Sequence, residues 1–96
     1  MFLVRNVFTA KPGQAKALVE KFKAASPLLA ERGVANRIMT DVAAGFWNVV
    51  VESEVDDLGE YFDMARRVSQ VPEVKEAMAG YMDHVVGGHR EIWNIE

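Results

Sequence analysis

The sequence contains no cysteine, so disulfides and thiolate metal sites are excluded. It has only two histidines and no convincing carboxylate cluster to join them, so no metal is expected. No run of basic residues is longer than Arg66-Arg67, and the net charge is −3. A nucleic-acid partner is therefore not expected, because phosphate neutralisation needs a basic stripe. No apolar run approaches the roughly 18 residues that span a bilayer, so no membrane partner is expected either. The opening Met1-Phe2-Leu3-Val4-Arg5-Asn6 is broken by Arg5 and Asn6 and lacks a small-residue cleavage site, unlike a signal peptide. The cytoplasm is the expected location.

What is present is apolar residue in quantity: half of the 96 residues are hydrophobic. That is ample for one packed domain over 1–96 and too much for a disordered chain. Periodicity divides the chain into elements. Residues 2–9 alternate as a strand, with Phe2, Val4 and Phe8 on one face and Leu3 and Val7 on the other. Lys11-Pro12-Gly13 ends it, and a helix is expected from about Pro12. Its apolar seam is Ala15, Leu18, Phe22, Ala25 and Leu29. Pro27 should kink or restart that helix, with Ser26 as a new cap, and Gly33 should stop it.

A hairpin is expected from strands 34–42 and 46–55 around Ala43-Ala44-Gly45, with Trp47, Val49 and Val51 on one face and Phe46, Asn48 and Val50 on the other. Asp57 and Glu60 then read as a capping box. They open a second helix that buries Leu58, Tyr61, Phe62, Ala65 and Val68. Pro72 interrupts it, and a second piece from Glu73 buries Val74, Ala77, Met78 and Tyr81. The last strand is expected at Gly88 to Ile95, with Ile92 opposing Trp93 and Ile95, and with Gly87-Gly88 as a bend or bulge.

The order strand–helix–strand–strand–helix–strand is the split βαβ arrangement of the ferredoxin-like α+β class. Right-handed crossovers place two helices on one face of a four-stranded antiparallel sheet. The other face would keep apolar side chains, among them Leu3, Val7, Phe46, Val50 and Ile92. A patch of that kind marks an interface, so a homodimer is expected.

This order, with the signposts Lys11-Pro12-Gly13 and Ser69-Gln70-Val71-Pro72-Glu73-Val74, resembles the dimeric α+β barrel superfamily over essentially the whole chain. That group includes antibiotic-biosynthesis monooxygenase-like, haem-degrading and NIPSNAP-type proteins. In the first two, an asparagine matching Asn6 lines a pocket between sheet and helices. The resemblance also implies a tryptophan and a histidine on the second helix, but Met64 and Met78 stand at the matching positions. A thioether replaces neither an imidazole ligand nor an indole wall, so haem degradation is disfavoured and no cofactor is expected.

Asn6 interrupts an otherwise apolar face. A buried amide without partners costs roughly 1–3 kcal/mol, so it needs a hydrogen-bonding role, either in a ligand pocket or in the fold itself. His84, near the end of the second helix, and His89 could move protons near neutral pH; a capping or surface role is the alternative. Trp47 and Trp93 could wall an aromatic ligand or simply pack the core. The expected ligand set is Asn6, Trp47, Tyr61 and Tyr81, with His84 and Asn6 as the catalytic pair.

Two functions follow. One is a cofactor-independent, monooxygenase-like enzyme acting on a small aromatic or phenolic molecule, where His84 or water accepts a proton and Asn6 binds the oxyanion. The other is a non-catalytic dimer that binds a small hydrophobic ligand or is purely structural.

Overall fold

A computed structural model describes residues 1–96. In chain order the elements are β1 (Phe2–Ala10), α1 (Ala15–Ala30), β2 (Arg37–Thr40), β3 (Asn48–Val55), α2 (Leu58–Val68), α3 (Pro72–Met78), a 3-10 turn (Tyr81–His84) and β4 (Val85–Asn94). The strands pair antiparallel in the order β2-β3-β1-β4, the ferredoxin-like arrangement. The molecule is a slab of 35 × 35 × 18 Å, one sheet with one layer of helices. No helix is long and apolar enough to cross a membrane.

The seam on α1 does what its spacing requires. Leu18, Phe22 and Ala25 are buried, and Leu18 and Phe22 join Ala10 and Val49 in the main core. A second core gathers Val34, Val68 and Val74. The Asp57 carboxylate accepts the Glu60 N–H at 2.8 Å and caps α2, and Pro72 occupies the first turn of α3.

Several boundaries differ from expectation for local reasons. Pro12-Gly13 forms a turn, with Gly13 at φ +80°, so α1 begins at Ala15. Pro27 does not break α1. The helix continues through it, the Glu31 N–H donates to the Pro27 carbonyl, and the Ser26 hydroxyl bonds Asn36 instead of capping. Trp47 adopts φ 62°, a left-handed conformation that no strand residue takes, so β3 starts at Asn48 and Phe46 lies exposed outside the sheet. β4 starts early, at Val85, and its pairing with β1 shifts between Thr9 and Ala10. Gly88 then passes so close to β1 that a Cβ there would lie 2.3 Å from the Val7 carbonyl oxygen.

Register corrects the expected faces. Val4 pairs with Ser53 and Ile92, Asn6 with Val51 and Arg90, and Phe8 with Val49 and Gly88, all toward the helices. Ile92 therefore belongs to the helix side and Trp93 to the open side. The open face is also not simply apolar. Leu3, Val7, Met39, Val50 and Trp93 are divided by a row in which Arg37 pairs with Glu52, Glu52 with Arg5, and Arg5 with Glu91.

Glu52 is the centre of that row, its side chain only 1% exposed because two arginines lie over it. Arg5 Nε donates to it at 2.9 Å and Arg37 Nε at 2.5 Å. Burial opposes its ionisation, but the hydrogen bonds and charges of Arg37 and Arg5 prevail and hold the carboxyl below the ordinary glutamate range. A carboxyl depressed in the folded state adds stability above its unfolded pKa, near 4.3, and loses that contribution as pH falls through the folded value. Urea denaturation from pH 7 to pH 3 should show an acid-side decline that is shallower in Glu52→Gln. Equal slopes would remove Glu52 as the cause.

Candidate functional site

A cavity of about 310 Å³ lies between the sheet and the helices, and ten of its fourteen lining residues are hydrophobic. Its floor is Asn6, Phe8, Val51 and Ser53, which alternate on β1 and β3 and so point the same way. Two small residues, Ala25 on α1 and Ala65 on α2, line it from the helix side. Met78 of α3 and Tyr61 of α2 contribute the wider walls.

The polar groups are few and already oriented. Asn36 accepts the Ser26 hydroxyl at 2.6 Å, and the Ser69 hydroxyl donates to the Arg66 carbonyl at 2.7 Å. The Asn6 carbonyl oxygen accepts from Arg90 Nε at 2.7 Å. Because a guanidinium can only donate, this bond fixes which way the amide points, and the Asn6 NH₂ remains as a donor. Ser53, only 6% exposed, and Tyr61 add two hydroxyls. Tyr61 is the one titratable group in the lining; there is no histidine, carboxylate or lysine.

Asn6 and Tyr61 thus come together at one cavity. Tyr81 does not line it. Its ring meets Phe8 edge-on at 6.4 Å and faces a neighbouring surface groove along β4, which Asn6, Phe8 and Arg90 also line. Trp47 lines a different depression, beside Ala15, Val19 and Phe46. His84 is at neither place. Its Nδ1 lies 2.8 Å from Gln14 Oε1 and its carbonyl accepts the Lys11 N–H, so it ties the entry of β4 to the start of α1. His89 lies on the open face, 2.8 Å from Glu91. Ser53 and Arg90 were not foreseen. Ser53 carries the same signal as Asn6, a polar residue on the face of Val49 and Val51, whereas Arg90 joins the site only through the β1–β4 register.

No family model matches the chain, and no curated protein matches it in sequence. Its fold, however, is shared with known structures. A NIPSNAP domain protein from Burkholderia xenovorans superposes with a TM-score of 0.84 at 10% identity, over 100% of this chain and 95% of that one. A NIPSNAP family protein of unknown function from Agrobacterium tumefaciens gives 0.80 at 12% identity, over 97% and 86%. An antibiotic biosynthesis monooxygenase gives 0.73 at 11% identity, over 100% and 99%. The fold is therefore a ferredoxin-like α+β arrangement shared with these structures, as the element order predicts.

Proposed function

We propose that the chain binds a small, largely apolar molecule in the sheet–helix cavity, and does so as a homodimer joined through the open sheet face. The observation that carries the binding reading is the cavity itself: mostly apolar, between sheet and helices, with a pre-oriented amide donor at Asn6. Dimerisation is supported by half-buried Leu3, Val7 and Val50 on a face that no helix covers. It is also supported by the charges among them, which a second copy can complement.

A ligand screen by thermal shift tests the binding. Small aromatic compounds with a hydrogen-bond acceptor should raise the melting temperature of the wild type. Asn6→Leu should weaken the best of them by about threefold to tenfold, the worth of one neutral hydrogen bond. Its stability should stay within about 1 kcal/mol of wild type, because the group left behind is the exposed Arg90, which water can solvate. A loss of 3 kcal/mol with no ligand found would make Asn6 a purely structural residue.

A second reading, monooxygenase-like chemistry on a phenolic substrate, draws support from the fold shared with an antibiotic biosynthesis monooxygenase and from the amide donor, which suits an oxyanion. His84 stands off the cavity, so solvent would have to take the proton. Oxygen uptake with phenols and hydroquinones, measured against Asn6→Leu, separates this reading from simple binding.

A further inference from the structure

Arg90 is held in an unusual way for an exposed arginine. It projects from β4 on the helix side, where its Nε donates to Asn6, and its guanidinium carbon lies 5.0 Å from the centre of the Phe62 ring. Three elements, β1, β4 and α2, therefore fix one cation in place. None of the ion pairs in the protein involves it: Glu52 and Glu91 take Arg5 and Arg37, Asp63 takes Arg66, and Glu31 and Glu73 take Arg32. The two terminal nitrogens of Arg90 make no hydrogen bond to the protein. Phe62 in turn packs edge-on against Tyr61 at 5.2 Å, so the cation stands directly behind the Asn6–Tyr61 side of the cavity.

We infer that the ligand of this cavity carries an anionic oxygen, a carboxylate or an ionised phenol on an apolar body, with Asn6 as its hydrogen-bond donor and Arg90 as its countercharge. This rests on the binding reading above and narrows it. Two separate constraints lead to the same ligand. First, the Arg90 bond takes the amide oxygen of Asn6, so the group left for a ligand is a donor, which an acceptor must meet. Second, that donor is polarised by a cation with no carboxylate of its own, and a hydrogen bond of this kind favours an ionised acceptor over a neutral one. Asn6 and Phe8 line both the cavity and the β4 groove that holds Arg90. An apolar body can therefore fill the cavity while its charged end lies at the junction with the groove.

The test compares acids with neutral amides of the same shape: benzoate with benzamide, and 2-naphthoate with 2-naphthamide, titrated at pH 7 by NMR chemical-shift perturbation. In the wild type, the better-fitting acid should bind about tenfold or more tightly than its amide. Arg90→Gln, at an exposed position where folding is not at stake, should weaken the acid and leave the amide nearly unchanged, bringing the pair to within about threefold. Arg90→Lys should retain part of the preference. Equal affinity of acid and amide in the wild type would overturn the anionic ligand while leaving the cavity as a neutral binding site. A preference that survives Arg90→Gln would overturn the role of Arg90. Failure of all four probes to bind at millimolar concentration would take down the binding reading, and this inference with it.

Discussion

Leu18→Ala should destabilise the protein by about 2–5 kcal/mol in urea denaturation. Leu18 is completely buried and packs with Phe22 and Ala10 and against Val49, where α1 lies over the end of β1 and the start of β3. Deleting its isobutyl group removes the transfer term and leaves a hole that the paired strands below cannot close. For a domain whose total stability is on the order of 5–15 kcal/mol, the variant should be partly unfolded at modest urea concentrations. A loss below about 1 kcal/mol would mean that α1 is not anchored at this position.

The second large effect concerns assembly. Light scattering at micromolar concentration should give twice the chain mass for the wild type, and Val50→Glu should give a monomer or an unfolded chain. Val50 stands mid-sheet on the open face between Val7 and Met39, with Glu52 two residues on along the same face. A carboxylate there adds a second negative charge beside Glu52 and would have to be desolvated against a partner. A monodisperse wild-type monomer would overturn the dimer outright.

Much of this architecture was legible because it is local. The i, i+3, i+4 seam of α1 can be read directly from Leu18, Phe22 and Ala25, and the α2 cap from Asp57 and Glu60. Asn6 stood out as polar on an apolar face, and the cavity lies on that face. What could not be read is set by partners distant in sequence. Strand periodicity shows that Ile92 and Trp93 point opposite ways; only the pairing of Val4 with Ile92 shows which of them meets the helices. Glu52 reads as a solvent residue until Arg5 and Arg37, 47 and 15 residues away, close over it. Trp47 reads as strand because its neighbours are β-prone, yet its backbone turns left-handed there. His84 looked like a residue at a helix end near the site, but its place depends on Gln14, 70 residues earlier.

From β2 to β4 the charged row Arg37, Glu52, Arg5, Glu91 reads plus, minus, plus, minus. Such a row is the opposite of its own reversal. When two copies stack face to face about a two-fold axis parallel to the strands, β2 of one lies over β4 of the other, and every charge meets its opposite. About an axis across the strands that runs along this row, each strand lies over its own copy and every charge meets its like. In the proposed homodimer, these four residues would therefore favour the first arrangement over the second.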